Sequence, residues 1–109
     1  LTADLGTEID VGTLAGLIAQ GESLAVLDVR EPWEVALGTL DGALTIPLGE
    51  LVGRAAEVPG DRPVVVLCHH GARSAQAAGW LRRQGVAATN LRGGIDAWSL
   101  EIDPAVTRY

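Results

Sequence analysis

Apolar residues fall along this chain in two rhythms. Val11, Leu14, Leu17 and Ile18 lie three and four apart, which predicts one face of a helix, with Asp10 placed to cap its start and Gly21 to stop it. Residues 23–29 form instead a short apolar run that predicts a strand, after which Pro32 stands first in a short helix carrying Trp33, Val35 and Ala36. Residues 42–46 predict a third short strand closed by Pro47, then a helix over 48–57 and a turn at Pro59-Gly60-Asp61. The β-branched run Val64-Val65-Val66-Leu67 predicts a buried strand that ends at Cys68. A helix over 75–84 stopped by Gly85, a last strand over 88–91, and a turn at Gly93-Gly94 into a helix containing Trp98 complete the series. A loose start over 1–6 and a short strand at Glu8-Ile9 precede it all.

Strands alternating with helices imply βαβ units, hence an α/β fold with an open parallel sheet covered by helices on both faces. Ligands of such sheets sit beyond the carboxyl ends of the strands, so the Asp28-Val29-Arg30 end shares a rim with Cys68. The order of the strands is not set by the pattern.

Composition narrows the picture. The 109 residues suit a single domain over 1–109, and 48% hydrophobic residues predict a folded globule. A net charge of −6 and a pI near 4.7 argue against a nucleic-acid or anionic-membrane partner. No apolar run approaches the ~18 residues of a membrane span, and no basic stretch precedes an apolar one at the start as in a signal peptide. The sequence begins at Leu1 and has no methionine, which leaves room for an upstream segment. A single cysteine forms no internal disulfide, which fits a reducing compartment, and a cytoplasmic location is the expectation.

Chemistry is concentrated in Cys68-His69-His70-Gly71-Ala72-Arg73-Ser74. A lone cysteine is by default a small core hydrophobe. Here, however, a strand hands it to a loop that opens a helix, so loop amides and the positive helix end converge near the sulfur and favour thiolate. Gly71 permits a positive φ in a tight loop, and Arg73 can hold an anion in a fork. Cys68 is therefore the candidate nucleophile, and Arg73, His69, His70, Gly71, Ala72 and Ser74 are the candidate substrate-binding residues. Asp28, Arg30 and Glu31 could form a charge cluster near the pocket, or Asp28 and Arg30 could hold loops in place by ion pairs while Glu31 caps the helix that begins at Pro32. Metal binding by Cys68, His69 and His70 is not expected, because consecutive residues rarely aim at one ion and no second Cys or His cluster completes a shell.

These residues resemble the active-site loop of the rhodanese-like sulfurtransferases, a C-x-x-G-x-R-S pattern. Asp28-Val29-Arg30-Glu31, Gly42-Ala43 running to Ile46-Pro47-Leu48, and Leu91-Arg92-Gly93-Gly94 followed by Ala97-Trp98 match in the same order, so the resemblance covers nearly the whole chain. It implies five central parallel strands, a persulfide carried on Cys68, and for Asp28 and Arg30 an orienting role near the active loop rather than a chemical one. Sulfur would come from thiosulfate or a similar donor and pass to cyanide or a biological thiol, with Arg73 binding the donor's sulfonate. No metal or organic cofactor is implied. The chain departs from the family at Gly38-Thr39-Leu40, where Gly-His-Ile is common, which bears on local packing more than on chemistry.

Two rivals share parts of this logic. A cysteine-dependent phosphatase also joins thiolate, amides and arginine, but its loop has five residues between Cys and Arg where this one has four. A carrier module would instead accept sulfur from a partner and use thiosulfate poorly. The ending Ile102-Asp103-Pro104-Ala105-Val106-Thr107-Arg108-Tyr109 is similar to tails of rhodanese domains fused to enzymes that activate sulfur-carrier proteins, so such a protein or its activating enzyme is a candidate partner. Trp33, Trp80 and Trp98 are expected as core or half-buried packing residues, and Gly93-Gly94 as a turn rather than a phosphate loop.

Overall fold

The structure, a computed structural model, describes residues 4–109; the first three residues of the predicted loose start lie outside the described residues. In chain order the elements are β1 (Glu8–Ile9), α1 (Val11–Ala19), β2 (Ala25–Asp28), α2 (Pro32–Val35), β3 (Leu44–Thr45), β4 (Val64–Leu67), α3 (Ala72–Arg83), β5 (Ala88–Leu91) and α4 (Gly94–Glu101). The five strands form one sheet in the order β1-β5-β4-β2-β3, and every pairing is parallel. No helix among the described residues is long and apolar enough to cross a membrane.

Side chains alternate along β4, and each face meets its own layer. Val64, Val66 and Cys68 pack with Ala77, Ala78 and Leu81 of α3, together with Leu51 and Val58. Val65 and Leu67 pack with Val11 and Leu14 of α1 and with Ile95 and Trp98 of α4. Burial on both faces is why β4 is an unbroken apolar run rather than an alternating one. As the central strand, it delivers Cys68 to the middle of the carboxyl rim, beside the end of β2, where Asp28 registers with Leu67.

Helix α1 starts where Asp10 accepts a hydrogen bond from the Thr13 amide at 2.8 Å. Helix α2 is one turn long, opened by Pro32 and closed into a capping box in which Glu31 and Glu34 each reach the other's end of the turn. Helix α3 begins at Ala72, three residues earlier than the pattern predicts, so Arg73 and Ser74 lie in its first turn.

Two expectations fail. Residues 48–57 make two short 3₁₀ helices, Leu48–Glu50 and Ala55–Glu57, rather than one α-helix. Gly49 and Gly53 lower helix propensity there, and the Arg54 amide is shared between the carbonyls of Glu50 and Leu51. Trp33 is 64% exposed rather than packed inside, because the single turn of α2 turns Glu34 inward. Trp98 is buried and Trp80 half-buried.

Candidate active site

Cys68 is buried at the end of β4, and its sulfur stands where an N-cap side chain would stand for α3. Gly71 occupies the cap position with φ +113°, a region that favours glycine, and has no cap side chain of its own. Its amide donates to Cys68 Sγ at 3.1 Å. Ser74 Oγ lies 3.3 Å from the same sulfur. Burial opposes charge on the thiol, but the Ser74 hydroxyl and the amides of Ser74, Gly71 and Arg73 outweigh it and hold the pKa below the ordinary thiol value. The unpaired donors of a helix N-terminus are thus spent on sulfur.

Ser74 has a second neighbour. Its oxygen is 2.6 Å from Asn90 Oδ1, and Asn90 Nδ2 donates to Glu8 Oε2 at 3.2 Å. A hydroxyl has one proton, so Ser74 gives it to Asn90 beside a neutral thiol and to sulfur beside a thiolate. Asn90 registers with Val66 on the neighbouring strand and so shares the α3 face. Nothing in the local sequence around Cys68 signals it.

The other wall of the loop is α4. Ile95 N donates to Cys68 O at 2.9 Å and Asp96 N to His69 O at 3.1 Å. Because a trans peptide sets C=O and the following N–H in opposite directions, these bonds turn the amides of His69 and His70 away from α4. The approach needs Gly94, where a Cβ would come within 2.5 Å of the carbonyl oxygens of both Cys68 and His69. Gly93 lies in the expected turn and caps α4, while Gly94 opens the helix and is a seat for the loop.

Arg73 does not stand free. Its Nη1 and Nη2 bind Glu34 Oε1 and Oε2 at 2.6 and 2.8 Å, a two-point pair. Glu34, 3% exposed, has its pKa lowered to about 2 by the Arg73 fork first, against burial, with further help from the Tyr109 hydroxyl and the capping amide. Neither Glu34 nor Tyr109 was singled out by the sequence pattern.

Asp28 and Arg30 are joined in a buried pair with Nη2–Oδ2 2.7 Å. Arg30 also donates through Nε to Asp28, through Nη2 to Gly38 O at 2.6 Å, and through Nη1 to Glu34 O at 3.2 Å and Tyr109 Oη at 3.0 Å. Thr39 donates to Asp28 Oδ2 at 2.8 Å, so the departure at Gly38-Thr39-Leu40 is packed into this network. The pair touches Glu34 and Tyr109 rather than sulfur.

The histidines form a stack. His69 lies between His70 and Tyr109, with ring centroids 3.9 Å apart on each side, and its Nε2 is buried with no hydrogen-bond partner among the described residues. His70 Nε2 is 3.9 Å from Asp96 Oδ2, and donor atoms of His69, His70 and Asp96 all lie within 4.8 Å of one another. That juxtaposition, which the sequence does not announce, is the candidate cation site of the described residues. Stacked imidazoles aim their in-plane lone pairs poorly at a shared ion, and Arg108 Nε already holds Asp96 Oδ1 at 3.0 Å. Ala72, at the first position of α3, is exposed and contributes backbone alone.

Comparison with known proteins bears on this arrangement. The family model described as "Rhodanese-like domain" matches residues 10–101. A protein named sulfurtransferase from Allochromatium vinosum is 43% identical over 93 residues, 84% of this chain and 87% of that protein. A probable adenylyltransferase/sulfurtransferase, MoeZ, of Mycobacterium tuberculosis is 35% identical over 107 residues, covering 95% of this chain but 27% of that longer protein. Among solved structures, a rhodanese-related protein from Thermoplasma volcanium superimposes with a TM-score of 0.82 at 33% identity, covering 88% of this chain and 93% of that one.

Proposed function

The chain belongs to the rhodanese-like domain family, and from that premise we propose that it is a sulfurtransferase, one domain over 1–109, that carries sulfane sulfur as a persulfide on Cys68. The observation that supports this most is the focus of donors on one sulfur: Gly71 N–H at 3.1 Å and the Ser74 hydroxyl at 3.3 Å, with the first-turn amides of α3 beside them. Donors so fixed stabilise negative charge on a thiolate and equally on the outer sulfur of a persulfide.

In the reaction proposed, the Cys68 thiolate attacks the outer sulfur of thiosulfate. The new S–S bond forms as the donor's S–S bond breaks, and sulfite leaves with the bonding pair. The persulfide anion then gives its outer sulfur to cyanide, forming thiocyanate, or to a thiolate, forming a new persulfide, and the Cys68 thiolate returns. Charge and electrons balance in both steps without a redox partner or cofactor. Arg73 holds the sulfonate with N–H groups that Glu34 leaves unused. Gly71, Ser74 and the amides of the loop steady the sulfur, while His69 and His70 supply backbone and a polar rim. Asp28 and Arg30 orient the loop from behind. A reducing compartment, the cytoplasm, suits a thiol that must return to the free state.

The relation to MoeZ favours a second reading on a specific ground: 95% of this chain aligns with part of a protein whose name joins adenylyl and sulfur transfer. In that reading the domain takes sulfur from, or hands it to, a sulfur-carrier protein or its activating enzyme. Intact-mass measurement tests the main reading. Thiosulfate should add one sulfur atom to the wild type, removable by a reducing thiol, and none to Cys68→Ser. An adduct surviving in the serine variant sinks the assignment. Persulfide formed from a protein donor alone, with no turnover of thiosulfate, selects the carrier reading. Hydrolysis of p-nitrophenyl phosphate above sulfur transfer would favour a phosphatase.

A further inference from the structure

We propose that Tyr109 is a positioning residue for Arg73, acting through the carboxylate of Glu34. The inference rests on the reading of Arg73 as an anion-binding group beside Cys68.

Hydrogen-bond bookkeeping fixes the direction of the link. All five N–H groups of Arg30 are engaged, with Asp28, Gly38 O, Glu34 O and the Tyr109 oxygen. The Tyr109 oxygen therefore accepts from Arg30, and its single proton goes to Glu34 Oε2 at 2.6 Å. Glu34 Oε1 takes the Glu31 amide at 3.0 Å and Arg73 Nη1 at 2.6 Å, while Oε2 takes Tyr109 and Arg73 Nη2 at 2.8 Å. Each carboxylate oxygen thus has two donors, which suits its two lone pairs and leaves the group one orientation. Arg73 is bound end-on to that fixed plane, with three of its five N–H groups left for an anion.

Tyr109 is itself held from two sides. Its ring stacks on His69 of the active loop at 3.9 Å and 9°, and meets the edge of Trp33 at 5.9 Å and 73°. One side chain from the end segment thus touches both the loop that follows Cys68 and the carboxylate that aims Arg73. Removing the hydroxyl alone leaves the ring contacts in place but strips one donor from Oε2. The carboxylate then draws harder on Arg73, and less of its positive field reaches an incoming anion.

Tyr109→Phe separates the hydroxyl from the ring. The probe is the rate of Cys68 alkylation by anionic iodoacetate relative to neutral iodoacetamide, which cancels the thiolate fraction and reports the local cation. We expect the ratio to fall about threefold or more, because the donor lost to the carboxylate is a charge-assisted one. KM for thiosulfate should rise by a similar factor with kcat nearly unchanged. In a Glu34→Gln background the same substitution should leave the ratio where it is, which a purely structural role would not predict. A wild-type ratio and KM in Tyr109→Phe, or an equal effect with and without Glu34, overturns the proposal. Failure of the wild type to use thiosulfate would count against the sulfurtransferase reading, while the alkylation ratio would still decide the role of Tyr109.

Discussion

Ser74 stands with its hydroxyl 3.3 Å from the sulfur of Cys68, on the next turn of chain after the loop that wraps it. A single rotatable proton, shared with Asn90, therefore answers to the charge on sulfur. Ser74→Ala removes that proton donor and leaves burial less opposed, so the Cys68 pKa should move up. Alkylation by iodoacetamide at neutral pH should slow about threefold or more, since a hydrogen bond to a charged group is worth roughly 1.5–3 kcal/mol and Asn90 competes for this one. The pH–rate profile should shift to higher pH with an unchanged plateau. An inflection that stays in place would mean that the backbone amides alone hold the thiolate.

Gly94→Ala should be among the costliest small substitutions in the chain. The added methyl meets two carbonyl oxygens at 2.5 Å, and the φ of +58° is itself unfavourable for alanine. Left-handed backbone and overpacking together suggest a loss of roughly 2–4 kcal/mol. Gly49→Ala is the control, with no atom of the described residues within 4 Å of the new methyl and no positive φ; it should be neutral or stabilising by up to about 1 kcal/mol. Urea unfolding of the two variants checks the contrast.

Acid should weaken the fold through Glu34. Its pKa, about 2 folded against 4.5 ordinarily, means that the unfolded chain binds more protons between those values, so stability rises with pH across that window. The contribution, of order 3 kcal/mol, is complete above about pH 4.5 and fades as pH falls towards 2. Comparing urea midpoints at pH 6 and pH 3, the wild type should lose more than Glu34→Gln. Equal losses would show that Glu34 is not the group that titrates.

Arg73→Ala should act on both stability and binding. It strands a buried carboxylate, a cost of roughly 1–3 kcal/mol, and adding Glu34→Gln should recover part of that loss. KM for thiosulfate should rise more than kcat falls, because the lost contact is with an anion present in ground and transition states alike. Alkylation of Cys68 should persist. A wild-type KM would place Arg73 outside the donor site.

Much of the candidate site was legible because it is local. Cys68, Gly71, Arg73 and Ser74 lie within seven consecutive residues, where strand-to-helix geometry and residue chemistry suffice. Glu34, Asn90, Asp96 and Tyr109 were not legible as site residues, since each arrives from a different element and their meeting depends on the order β5-β4-β2 in the sheet. The short 3₁₀ segments at 48–57 escaped for another reason: apolar spacing outweighed the glycines in the pattern, whereas the glycines prevail in the fold. Trp33 shows the limit of hydrophobicity as a guide, because a one-turn helix has room for one inward residue and charge pairing gave that place to Glu34.

The alternation of β4 makes the chemistry a matter of parity. Val64, Val66 and Cys68 are in phase with one another and out of phase with Val65 and Leu67. One residue inserted within the strand would exchange the two sets, sending the sulfur to the α1–α4 side and its neighbours to the helix that should receive it, even with every loop residue intact. Two inserted residues would restore the phase. The sulfur of Cys68 is thus addressed by counting from the core, and the valines ahead of it serve as its index as much as its support.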